Sequence, residues 1–222
     1  EARFLREAKA ASEVHHPNVV DVLDFGVDDG RPFMVLEHLE GETLGARLVR
    51  EGRLSPASVL SLAGPLLRAL AAAHRRGIVH RDIKPENVFL ARVSDVPEPV
   101  PKILDFGIAK HSGDVQLTDT NVTLGTAAYM APEQIRSSKD VGPAADQYAI
   151  GVLFFEALSG RLPFEAGSPH ELLYKKLSET PLQLAALRPD LDPRIGEAVM
   201  RAMATDPAAR FPDVDALRHA LE

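Results

Sequence analysis

The chain has 222 residues, 45% hydrophobic and 26% charged, a formal net charge of -7 and no cysteine. It is long enough to bury a substantial core, and its ordinary globular composition excludes disordered, collagenous and low-complexity classes. The acidic balance argues against a nucleic-acid-binding surface, which would show as a basic patch or stripe, and the absence of cysteine excludes disulfides and thiolate zinc sites.

Phe4, Leu5, Ala8, Ala11 and Val14 recur at helical spacing, predicting an amphipathic helix over 3–14 that His15-His16-Pro17-Asn18 stops. Two adjacent histidines invite a metal, but with no further ligand nearby they read as polar turn residues. Strands are expected over 19–27 and 32–37, with Asp28-Asp29-Gly30 as the hairpin turn between them. A short helix over 43–49 precedes a long one over 56–76, for which Ser55 is the N-cap, Pro56 the first helical residue and Gly77 the stop. Gly64-Pro65 inside it predicts a kink.

Ile78-Val79 reads as a brief strand, 88–90 as its return, and 102–104 as a further strand. Between the last two, 91–101 is proline-containing and acidic, and is expected to be an exposed loop. The segment 105–133 has no strong periodicity and carries Thr118, Thr120, Thr123 and Thr126. The most apolar stretch, 148–158, is too short to span a bilayer and contains Glu156, so the surrounding 143–159 is expected to be a buried helix. Asp146 is an unusual charge for such a helix and needs partners there. Further helices are expected over 169–178, 193–204 and 213–221. No signal peptide is apparent, and the start at Glu1, already in mid-helix, points to a piece of a longer protein.

The chemistry is concentrated in His80-Arg81-Asp82-Ile83-Lys84-Pro85-Glu86-Asn87, answered by Asp105-Phe106-Gly107. Asp82 supplies a carboxylate to accept a hydroxyl proton, Lys84 an ammonium to balance phosphate charge, and Asn87 with Asp105 two hard oxygen donors for Mg2+. Magnesium keeps most of its positions for water and phosphate, so a sparse Asn and Asp pair suits an ion that arrives with a nucleotide.

These motifs, in this order, resemble the eukaryotic-type (Hanks-type) protein serine/threonine kinases, of the kind also found in bacteria. The resemblance implies an α+β protein-kinase-like fold: a partial, β-containing N-lobe over 1–37, a hinge over 38–41 and a mainly helical C-lobe over 42–222. It implies ATP and Mg2+ as cofactors, and Ser/Thr-bearing proteins as substrates. Nucleic acid is not expected as a partner, and no membrane segment is expected in this chain. Glu7 is implied to pair with a lysine on an earlier strand, although by its spacing alone it reads as part of a solvated face. Backbone groups near Glu37 and Leu39 are implied to meet the adenine edge, with Leu36 behind the pocket as gatekeeper and Phe89 as its floor.

In the same way, 105–133 is similar to an activation segment, whose portion 125–133 docks the peptide. Thr126 is implied to hydrogen-bond Asp82 and Lys84, and Lys84 itself marks Ser/Thr specificity. Thr118 and Thr120 match phosphorylation sites whose phosphate would pair with Arg81; the bland alternative is a threonine-rich loop that is never modified. Asp146 is implied to accept backbone hydrogen bonds from the catalytic loop, and Arg210 to pair with Glu133. Autophosphorylation implies a homodimer, and the domain is expected in the cytoplasm of a protein that could be membrane-anchored as a whole. No Gly-rich phosphate loop and no Val-Ala-Ile-Lys strand occur in the sequence; both are expected before Glu1. The rival reading is a catalytically incompetent partial kinase that serves as a binding module.

Overall fold

A computed structural model describes residues 5, 8–9, 12–94, 96–105, 123–136 and 141–222. Leu5, Ala8, Lys9 and Ser12 are helical, and Ala8 and Val14 are buried beneath them. The hairpin follows as β1 (Val22–Asp28) and β2 (Arg31–Leu36), antiparallel with Asp28 opposite Arg31. Only Asp29 and Gly30 remain in the turn, both at positive φ (46° and 75°), the twist that a two-residue hairpin loop needs. The strand begins later than expected because residues 18–20 pair elsewhere. Val19 bridges in parallel to Ile103, Val20 N–H donates to Ile103 O (3.0 Å), and Ile103 N–H donates to Asn18 O (2.8 Å).

A three-stranded antiparallel sheet is formed by β3 (Gly41–Thr43), β4 (Val88–Ala91) and β5 (Val100–Ile103) in that order. The strand β3 was not expected, being too short to show a period. Gly41 sits there at φ 147°, and a Cβ on it would lie 2.1 Å from Leu90 O, so only glycine lets β3 reach β4. Because Ala91, Val100 and Pro101 belong to strands, the loop shrinks to 92–99, of which 92–94 and 96–98 are exposed.

The helices are α1 (Leu44–Glu51), α2 (Pro56–His74), α3 (Leu124–Tyr129), α4 (Pro132–Arg136), α5 (Pro143–Ser159), α6 (Pro169–Ser178), α7 (Leu184–Leu187), α8 (Pro193–Ala202) and α9 (Val214–Leu221). Thr43 caps α1 by accepting Ala46 N–H (3.1 Å), and Ser55 caps α2 by accepting Ser58 N–H (3.1 Å). α2 runs as one helix through Pro65. By length and composition it is apolar enough to cross a bilayer, but Leu66, Leu67, Ala69 and Leu70 are fully buried in the core, where α2 packs on α5 and α9. α5 is buried nearly all round; Ile150, Phe154, Phe155 and Leu158 lie at its centre, each contributing about 1.5–3 kcal/mol by leaving water.

Candidate active site

The loop that carries the motif hangs from one buried carboxylate. Asp146, in the first turn of α5, is fully buried; its Oδ2 accepts His80 N–H (2.8 Å) and its Oδ1 accepts Arg81 N–H (2.7 Å). His74 Nε2 lies 2.8 Å from the same Oδ2. Residues 78 and 79 are not the strand expected, because Ile78 N–H turns back to Ala73 O (3.0 Å) and closes the end of α2. His80 is also fully buried: its Nδ1 accepts Asp82 N–H (3.2 Å), which leaves the proton on Nε2 to donate to Leu104 O (2.8 Å). Burial holds this imidazole below its ordinary pKa, in the neutral form that the network requires. Arg81 takes φ 65°, an uncommon conformation for a side-chain-bearing residue. Gln134 supports it, donating to Arg81 O (3.1 Å) while its Oε1 accepts Ala131 N–H (2.9 Å).

On this frame Lys84 Nζ lies 3.2 Å from Asp82 Oδ2. Asn87 Nδ2 donates to Asp82 O (2.8 Å) and to the same Oδ2 (3.2 Å). The amide is thereby oriented, and its Oδ1 accepts no hydrogen bond among the described residues. Leu104 N–H donates to Asn87 O (2.9 Å), tying the 3-10 turn Pro85–Asn87 to the residue before Asp105. Asp105 is exposed at φ 48°. No group of three or more His, Cys, Asp or Glu side chains capable of holding a metal occurs among the described residues. An oriented amide oxygen and an exposed carboxylate are the donor types that magnesium accepts when water and phosphate complete its shell.

Leu36 ends β2 opposite Val22. Glu37 N–H donates to Asp21 O (3.0 Å), and Glu37 Oε1 accepts Asp21 N–H (2.9 Å) together with the Lys102 ammonium. Residues 37 and 102 are thus locked together, linking the end of the hairpin to β5. The Leu39 backbone makes no hydrogen bond among the described residues. Phe89, on β4 between Thr43 and Lys102, is partly buried.

Thr126 is placed differently from expectation. Thr123 is the N-cap of α3: its Oγ1 accepts Thr126 N–H (3.4 Å) and its hydroxyl donates to Thr126 Oγ1 (3.3 Å), and no hydrogen bond from Thr126 to Asp82 or Lys84 occurs among the described residues. A local cap competes for the side chain that the resemblance assigned to the loop. Further along, Glu133 and Arg210 form a two-pronged pair (Nη1–Oε1 2.7 Å, Nη2–Oε2 2.8 Å), and Arg210 also donates to Ala144 O and Ala204 O. Tyr129 donates to Glu156, whose carboxyl burial pushes up. Glu7, Thr118 and Thr120 lie outside the described residues.

Sequence reading gave His80 no role of its own within the motif and missed Gln134, Lys102 and Lys176. Of the last three only Lys176 left a signal: it falls on the stripe of Leu172 and Leu173, where an apolar residue belongs.

A mainly helical α+β fold, whose motif loop and Asp105 meet at the same end of the β4–β5 pair where Val88 faces Ile103, is that of a protein phosphotransferase. The family model described as the protein kinase domain matches residues 1–219. The chain belongs to that family, among the Hanks-type serine/threonine kinases of bacteria. It is 39% identical over 220 residues to the serine/threonine-protein kinase PknL of Mycobacterium tuberculosis, covering 99% of this chain and 54% of PknL. It is also 39% identical over 228 residues to the serine/threonine-protein kinase pkn3 of Myxococcus xanthus, covering 100% of this chain and 41% of that protein. The chain therefore spans about half the length, or less, of these curated relatives. Among solved structures, the PknI kinase domain of Mycobacterium tuberculosis superposes with a TM-score of 0.74 at 29% identity, covering 99% of this chain and 76% of that one.

Proposed function

We propose that this domain transfers the γ-phosphate of ATP to Ser or Thr hydroxyls of protein substrates. The observation that carries the reading is the convergence of Lys84 Nζ and Asn87 Nδ2 on one oxygen of Asp82, which fixes the carboxylate's orientation in a loop suspended from buried Asp146. Asp82 orients the acceptor hydroxyl and takes its proton, a contribution on the order of 10²–10⁴ in rate. Lys84 steadies the transferring phosphate. Asn87 Oδ1 and the Asp105 carboxylate are the groups that would hold Mg2+, which supplies neutralisation of charge on the phosphate oxygens when bound.

The backbone of Leu39, unpaired among the described residues, receives the adenine edge with the Glu37 carbonyl; Leu36 closes the back of that pocket and Phe89 its floor. The lobes divide as 1–37 and 42–222 about the hinge 38–41. Thr118 and Thr120 are regulatory sites whose phosphate pairs with Arg81, Glu7 is the carboxylate that pairs with a lysine, and modification in trans proceeds within a homodimer in the cytoplasm.

The test is Mg2+-dependent incorporation of phosphate from ATP in the full-length protein, with Asp105→Asn as control and mapping of the modified residues. Incorporation at Ser or Thr that disappears in the control supports the reading. A folded wild-type protein that incorporates none overturns it.

A further inference from the structure

Lys176 lies on α6 with 1% of its surface exposed, and it makes no ion pair among the described residues. A buried ammonium without a counter-charge is costly, and a methionine would fill the same space without that cost, so stability alone gives no reason for lysine here. What the ammonium does is specific. Nζ donates to Ala128 O (2.5 Å) and to Met130 O (2.7 Å), the carbonyls on either side of Tyr129. Both lie at the C-terminal end of α3, where carbonyls lack helical partners and a cation is favoured.

Nζ also sits 5.0 Å from the centre of the Tyr148 ring, and the Arg210 guanidinium lies 5.1 Å from the same ring. Arg210 in turn grips Glu133. Burial pushes the Lys176 amine well below its ordinary pKa, but its donors are used all the same: Lys176 and Arg210, sharing one aromatic ring, hold the segment 128–133 at both ends from two elements that carry no group of the phosphate-transferring loop.

We propose that Lys176 is a positioning residue of the phosphotransfer reaction: by fixing the carbonyls of Ala128 and Met130 it sets the backbone against which the acceptor peptide lies, and so governs peptide binding and the residue tolerated beside the acceptor. This rests on the reading of 125–133 as the peptide-docking segment. Lys176→Met removes all donors, while Lys176→Gln keeps neutral donors on a shorter arm. Two such hydrogen bonds together are worth a factor of about 10–100 in the equilibrium that holds the segment in place.

In the full-length protein, K176M is expected to raise the KM for a Ser/Thr peptide at least ~10-fold. K176Q should fall between it and wild type, with the KM for ATP and the rate of ATP hydrolysis without peptide unchanged. Selection among peptides differing beside the acceptor weakens in the same order, and backbone amides 124–131 exchange hydrogen faster. An unchanged peptide KM and unchanged exchange in a folded variant overturn the proposal. If K176M does not fold, K176Q decides by the same readings. A wild-type protein inactive on every peptide counts instead against the kinase reading, and the exchange comparison still settles whether Lys176 holds the segment.

Discussion

Asp146 shows how a single side chain can order a catalytic loop. It is fully buried and receives two backbone N–H groups and the His74 ring, so Asp146→Ala leaves buried donors without an acceptor. A loss of about 3–5 kcal/mol in denaturant unfolding is expected, together with loss of phosphate transfer. Asp82→Ala, on a partly exposed carboxylate, should abolish transfer while leaving the melting temperature within a few degrees. His80 adds a pH dependence. The unfolded chain takes up a proton on this ring near 6.5, but the folded state resists it because burial lowers the pKa. Below 6.5 the unfolded state therefore binds more protons, and stability falls with pH until the lowered folded value is reached, by at most about 1.4 kcal/mol per pH unit. Urea midpoints measured from pH 8 to pH 5 should show a steeper acid loss in wild type than in His80→Gln; equal slopes would refute the assignment.

At the scale of elements, Gly41 is the tightest constraint. A Cβ there would meet Leu90 O at 2.1 Å and Phe89 Cε1 at 3.0 Å, so Gly41→Ala must push β3 off β4. It should cost about 1–3 kcal/mol or more and weaken ATP binding through the displaced Phe89, as isothermal titration would show. The elements legible in the sequence are those whose signals are local: the Asp29-Gly30 turn, the Ser55 cap, and the apolar run of α5. β3, α3 and α4 were illegible because each is shorter than two turns of the period that would reveal it. Of the candidate site, Asp82, Lys84, Asn87 and Asp105 were expected as a set, and the structure brings the first three into contact. The Glu37–Lys102 contact was not, since its partners lie 65 residues apart and neither is unusual by itself. Thr126 was assigned through resemblance alone, which carries no information about the N-cap three residues before it.

Across the whole molecule, Arg210 joins the C-terminal helices to Glu133 at the start of α4 from 77 residues away, with its guanidinium fully enclosed. Arg210→Met should cost about 3–5 kcal/mol because Glu133 loses its counter-charge, and the double variant with Glu133→Gln should recover part of that loss. Additive losses in the thermal melts of the two singles and the double would show that the pair is not coupled. The loop 92–99 lies at the opposite extreme. Its ends are fastened by the pairing of Ala91 with Val100, residues 92–94 and 96–98 are exposed, and β5 continues from it to Asp105. In a chain with no native thiol, a single cysteine at Ser94 would give one attachment point for a maleimide dye. On the turn between β4 and β5, the dye would show by its emission, from outside the site, whether that pair of strands shifts when Mg2+ and ATP are added.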